Sequence, residues 1–238
     1  MLKGPFLDRN WMGQNEDYKT SNIVMLGMPF DGTVSYRPGS RFAPEQIRLA
    51  SWGLEEYSPY FDKHLEDCNF HDAGDLEFPL GNTEKSLDVI KNNVEEIYRD
   101  GKRVFGIGGE HLVTLPEIQA VSKYVDNLAI VHFDAHTDLR EEYLGEPLSH
   151  SAVIRHSAEI IGFENLKQIG IRSGMKEEFE LMKKYGTLIH EHSELDCFKN
   201  KNIFVKTYDK LLANCKRGAI ANAEPEKLKA FAKREFTK

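Results

Sequence analysis

The stretch Leu128-Ala-Ile-Val-His-Phe-Asp-Ala-His-Thr-Asp138 constrains this chain more than any other. Its apolar start, residues 128–131, has the length and composition of a buried strand, and it breaks directly into Asp134, His136 and Asp138. Residues two apart on an extended chain project to the same side. Two carboxylates and an imidazole could therefore converge on one point, just past the carboxyl end of a strand, where open α/β sheets place their sites. The plainer reading of the same spacing is a surface turn with a capping Asp and two incidental polar residues.

A buried strand needs neighbours, and the flanking sequence supplies them. Residues 22–27 and 102–108 form apolar runs bounded by Gly and Pro, as buried strands do, and 69–76 forms a weaker one. Between them, Leu87, Ile90, Val94 and Ile97 recur at helical spacing over Thr83–Arg99, with Thr83 placed as the N-cap and Asp100-Gly101 as the stop. Pro44 opens a further helix that runs to about Trp52, because proline is tolerated in the first helical turn. The loop before it, residues 30–44, is rich in Gly and Pro and long for a compact domain, which marks it as functional or flexible. Helices are expected at about 114–125, within 151–164 and over Lys176–Tyr185, and strands at Leu166–Ile171, 187–190 and 202–205. Strands alternating with helices across short loops predict a mainly parallel sheet covered by helices in one domain.

Composition excludes several function classes. No run approaches the roughly 20 apolar residues of a membrane span, and the amino terminus lacks the layout of a signal peptide, so cytoplasmic residence is expected. Cys68, Cys197 and Cys215 are too few and too widely spaced for a disulfide framework or a zinc ribbon. A formal charge of −7 argues against nucleic acid or an anionic membrane as partner and suits a small cation. The charge is uneven: residues 206–238 carry 9 Lys+Arg against 4 Asp+Glu, so residues 1–205 hold the acidic excess.

His111 follows a predicted strand and two glycines, on the same edge of the sheet as residues 134–138. Oxygen and nitrogen donors without thiolate suit manganese or another borderline divalent ion. Gly106-Ile-Gly-Gly109 fails the dinucleotide pattern, since His111 stands where the third glycine belongs. Ser149-His150 lies in a loop beyond the motif: His150 could shuttle protons near neutrality, or the pair could be an N-cap serine beside a solvated histidine. His132, on the buried strand, reads as a hydrogen-bonded core histidine. His190 and His192 form a weak i, i+2 pair.

Gly108-Gly-Glu-His111 and Phe133-Asp-Ala-His-Thr-Asp138 resemble the first two metal signatures of the ureohydrolase (arginase and agmatinase) family. The loop from Met28 to Arg48 is similar to that family's substrate-side segment, and Leu148-Ser-His-Ser151 to its proton-shuttle segment. The likeness covers about residues 1–205 and is nearest to the bacterial agmatinases. It implies a three-layer α/β/α fold and two manganese ions held by His111, Asp134, His136 and Asp138. His150 would be the proton donor to the departing amine. It also implies a guanidino substrate hydrolysed to urea and an amine, with agmatine giving putrescine for polyamine biosynthesis, and a homo-oligomeric assembly. The third family signature, of the form Ser-x-Asp-x-Asp-x-x-Asp-Pro, has no match. Lys206-Thr-Tyr-Asp-Lys-Leu-Leu212 offers only Asp209, out of register. The fold is thus expected to lack its C-terminal strands and helices, with 206–238 an atypical basic tail carrying a helix over 225–236. One reading of such a chain is an inactive or truncated homologue that binds metal without turnover.

Overall fold

A computed structural model describes residues 10–13 and 16–191. The strand expected at 202–205, the helix at 225–236 and the departure after residue 205 lie outside the described residues. The chain divides into two compact units, 1–120 and 121–238, and each carries a parallel sheet.

In the first unit, β1 (Ile23–Met28) is the central strand. After the long loop comes α1 (Ala43–Ser51), with Pro44 in its first turn as expected. A short antiparallel ribbon follows, β2 (Tyr57–Ser58) and β3 (Lys63–His64), too brief to leave a pattern in the sequence. Then come β4 (Phe70–Asp75), α2 (Thr83–Arg99), β5 (Arg103–Gly108) and α3 (Thr114–Val121). β1 lies between β4 and β5, parallel to both, with Ile23 opposite Phe70 on one side and Arg103 on the other. Parallel strands need crossover connections, which the helices supply. α2 buries Leu87, Ile90, Val94 and Ile97, the four residues its periodicity singles out. Its cap, however, is Asn82 rather than Thr83: the Asn82 side chain accepts from the Lys85 amide at 2.9 Å, which places the start one residue earlier.

One buried cation clamps α1 to the end of β4. Arg48 donates Nε to Asp72 Oδ2 and Nη2 to Asp72 Oδ1, both at 2.8 Å, and also pairs with Asp75. Asp72 further accepts from the amides of Trp11 and Gly74, each at 3.0 Å. Burial pushes the Asp72 carboxyl up, but the Arg48 fork and those two amides outweigh it and hold the group below its ordinary value. Gly27 makes room for this cluster, since a β-carbon there would fall 1.9 Å from Asp75 Oδ1.

In the second unit, β6 (Ile130–Phe133), α4 (Val153–Ile161), β7 (Leu166–Ile171), α5 (Lys176–Tyr185) and β8 (Leu188–Glu191) follow in strict alternation. The sheet order is β6-β7-β8, all parallel. β7, flanked on both edges, is buried along its whole length. Val153, Ile154 and Ala158 of α4 and Met182 of α5 join Ile130, Leu166, Ile169 and Ile171 in the buried core of this unit. No helix among the described residues is long and apolar enough to cross a membrane.

Two predictions follow from buried charge in the first unit. Arg48→Met leaves Asp72 buried without its cation and should cost about 3–5 kcal/mol in denaturant unfolding. Because the folded Asp72 pKa is depressed, its contribution is present above the unfolded value and lost as pH falls; the variant should therefore have a shallower acid limb than the wild type. Glu117 of α3 behaves oppositely. Burial pushes its carboxyl up to about 7, and its Oε1 lies where a Gly106 β-carbon would be 2.4 Å away. The unfolded chain releases this proton first as pH rises, so the folded state loses stability between the ordinary glutamate value and about 7. Glu117→Gln should match the wild type near pH 4 and exceed it near pH 8 by about 3 kcal/mol, read from unfolding midpoints across pH.

Candidate metal centre

β6 ends at Phe133, and the chain then has to satisfy its backbone away from the strand. Asp134 still donates its amide to Ile169 O of β7 at 3.1 Å. Beyond it the loop is bound to the segment after β7. Ala135 O accepts from both Arg172 N and Ser173 N, at 2.8 and 3.0 Å, and Thr137 N donates to Ser173 O at 3.1 Å. Asp138 then turns into the left-handed region, with φ of 49°, a conformation that Asp and Asn tolerate better than other non-glycine residues. Its carbonyl accepts from Ile154 N and Arg155 N in the first turn of α4, so the loop also fastens that helix.

The loop is pinned from below by a buried acid. Glu178, in the first turn of α5 and 4% exposed, accepts Thr137 Oγ1 at 2.7 Å and Leu139 N at 2.8 Å on one oxygen. Its other oxygen accepts Met175 N at 2.6 Å. Both carboxylate oxygens are thus committed to donors on either side of the ligand loop and the helix start.

Within this unit the structure brings together one donor atom each from His132, Asp134 and Asp138, all within 4.8 Å of one another. Asp134 and Asp138 meet as expected, but not for the expected reason. The segment is not extended throughout: it bends at Ala135, pairs with Ser173 at His136, and turns left-handed at Asp138. His136 stays mostly exposed, its backbone amide bound to Asp134 Oδ1 at 2.9 Å and its Nδ1 3.4 Å from that oxygen. His132, read as a core histidine, is buried and hydrogen-bonded, and its Nε2 lies 3.3 Å from Asp134 Oδ2. His150, half-buried in the turn before α4, packs edge-on to Tyr143 with ring centroids 5.8 Å apart.

In the first unit, His111 opens a 3-10 turn at the carboxyl end of β5. The preceding glycines allow a close approach: Gly109 N donates to Met28 O, and a β-carbon on Gly109 would fall 2.0 Å from Phe30 O. Glu110 is buried and accepts from the amide and hydroxyl of Thr33, the latter at 2.7 Å, which ties the long loop down beside His111. Asp31 closes that loop on itself by accepting from Gly39 N at 2.7 Å and pairing with Arg41.

Carboxylates and imidazoles without thiolate fit a hard or borderline divalent cation. Cys68, the one cysteine among the described residues, is exposed. Two acidic groups held this close repel each other, and a cation between them would offset that repulsion. Glu110 and Glu178 were not legible as supports of these loops, because their partners lie on other elements.

Comparison with known proteins bears on the family and the fold. A family model described as the Arginase family matches residues 21–218. The agmatinase of Bacillus subtilis is 53% identical over 189 residues, which cover 79% of this chain and 65% of that one. A candidate agmatinase from Clostridium difficile, solved by crystallography, superposes with a TM-score of 0.72 at 47% identity, covering 79% of this chain and 67% of that one. The agmatine ureohydrolase of Thermoplasma volcanium gives a TM-score of 0.70 at 31% identity, over 82% and 65%. The chain therefore has an arginase-like α/β fold with parallel sheets and spans about two thirds of the length of the relatives it matches.

Glu178→Gln keeps the size of the side chain but leaves one oxygen where three donors converge on two. It should destabilise the protein by about 1–3 kcal/mol and accelerate hydrogen exchange at the Leu139 amide more than at amides of β7.

Proposed function

The chain belongs to the Arginase family, and on that premise we propose that it hydrolyses a guanidino compound with the help of manganese, acting on agmatine to release urea and putrescine. The observation that carries this reading is the convergence of Asp134 and Asp138 at the carboxyl end of a parallel strand, in a chain 53% identical over 189 residues to an agmatinase. His111, Asp134, His136 and Asp138 are the residues that would hold manganese. Bound there, the metal supplies an activated water for attack on a guanidinium carbon.

The protein's own groups do the rest. The carboxylates Asp134 and Asp138, with the formal charge of −7, favour approach of a cationic substrate. An amine leaves poorly unless it is protonated, and His150 is the group we assign to deliver that proton. Its ring is held edge-on by Tyr143, which limits its orientations. The loop tied down by Glu110 and Asp31 is the substrate-side wall in this reading. The site then takes a small cation and neither nucleic acid nor membrane, and the family's homo-oligomeric assembly is the expected working form, in the cytoplasm. Guanidinobutyrate, arginine and formiminoglutamate are the competing substrates that the same chemistry would serve.

A second reading, metal binding without turnover, is favoured by one observation. Residues 206–212 contain a single acid, Asp209, where the family carries its third group of ligands. Two neighbouring divalent ions need several anionic ligands to offset their repulsion.

Elemental analysis after equilibration with manganese, paired with urea release from agmatine on the same sample, separates these readings. Bound manganese with urea formed supports the enzyme, and Asp134→Asn or Asp138→Asn should then lower both by about 100-fold or more. Bound manganese without urea from agmatine or the three competing substrates selects the second reading. A protein that takes up no manganese overturns both.

A further inference from the structure

His132 is buried, titratable and within reach of the metal-site carboxylate, yet the proposed chemistry gives it no task. Its surroundings define what it does. Gln168, on the fully buried β7, is in contact with three polar groups. Its Nε2 lies 2.8 Å from Thr137 O and 3.1 Å from His132 Nδ1, and its Oε1 accepts from Thr187 Oγ1 at 3.1 Å.

These contacts fix the amide and, through it, the ring. A backbone carbonyl is an acceptor only, so the Gln168 atom facing Thr137 O has to be the NH2. One amide hydrogen goes to Thr137 O, and the other points at His132 Nδ1. That nitrogen must then be an acceptor, and the ring hydrogen sits on Nε2, 3.3 Å from Asp134 Oδ2. A nitrogen carrying that hydrogen has no lone pair for a metal.

We propose that His132 is a positioning residue: held by Gln168 as the Nε2–H tautomer, it donates to Asp134 Oδ2 and aims that carboxylate at the metal without ligating it. Asp134 Oδ1 is steadied by the His136 amide at 2.9 Å, so both oxygens are oriented before any ion arrives. Each oxygen keeps a lone pair for the metal, since an ionised carboxylate offers about four acceptor sites. Partners of this kind, outside the ligands themselves, typically change metal affinity by about 10–100-fold when removed. The metal part of this inference rests on the proposed manganese site; the tautomer does not.

Nitrogen NMR of the histidine-labelled protein, metal-free and after addition of cadmium, reads the ring directly. We expect His132 to carry its hydrogen on Nε2 in both states, with no scalar coupling to the bound cadmium nucleus. Manganese titration of variants supplies the second readout. His132→Gln places an amide N–H where Nε2–H stands and should keep affinity within a few-fold of the wild type, whereas His132→Leu should weaken it by about 10–100-fold. Gln168→Leu should weaken affinity in the same range and release the ring into a mixture of tautomers. A hydrogen on Nδ1 in the wild type, or coupling between cadmium and Nε2, overturns the assignment. So does a loss in His132→Gln as large as in His132→Leu. If the wild type binds no manganese, the proposed function fails, and the metal-free spectrum alone still decides the tautomer.

Discussion

The second sheet depends on one buried carboxylate. Where β6 ends, pairing continues only through Ala135 and Thr137 with residues 172–173, and the Thr137 hydroxyl and Leu139 amide need other partners inside the protein. Glu178 meets that need from the neighbouring helix, taking Thr137 and Leu139 on one oxygen and the start of its own helix on the other. An ionised group is costly to bury, and three donors at 2.6–2.8 Å are what make burial tolerable. The same bonds that stabilise the fold thereby fix the loop on which Asp134 and Asp138 ride. Stability and site geometry cannot be separated at this point.

The first sheet uses charge differently. Arg48 and Asp72 form a closed bidentate pair, reinforced by two amides, and their work is to hold a helix against a strand end. Satisfied so fully, the pair has nothing left to offer a ligand. Glu110 and Glu178 are also buried and hydrogen-bonded, but their donors sit on loops next to candidate ligands. Burial and charge alone would not tell these cases apart; what distinguishes them is which segment supplies the donors.

Much of this was legible in the sequence. Helical spacing placed α2 and its four buried residues, and short apolar runs bounded by Gly or Pro placed β1 and β5, because both signals depend on neighbours a few residues away. The cap of α2 was misplaced by one position, since Asn82 and Thr83 are both capping residues and only the backbone decides between them. Asp134 and Asp138 were singled out by their spacing after a strand, while the left-handed backbone at Asp138 leaves no periodic trace. His132 was correctly read as a hydrogen-bonded core histidine, but its partner is 36 residues away on β7. Glu178 stands 41 residues from Thr137. Contacts across such distances are set by topology, and a single sequence does not contain them.

The left-handed backbone at Asp138 has a consequence for what this position can tolerate. Its φ of 49° admits glycine freely and Asp or Asn at modest cost, and it penalises β-branched residues most. Of those three, only aspartate carries a charge. Under the proposed metal site the side chain there answers two demands, that of a left-handed turn whose carbonyl holds the first turn of α4 and that of a carboxylate. Glutamate, the obvious chemical substitute, satisfies the second demand and strains the first. A drift of this position toward asparagine or glycine would preserve the shape of the loop while silencing its electrostatics, so the fold could outlive the site.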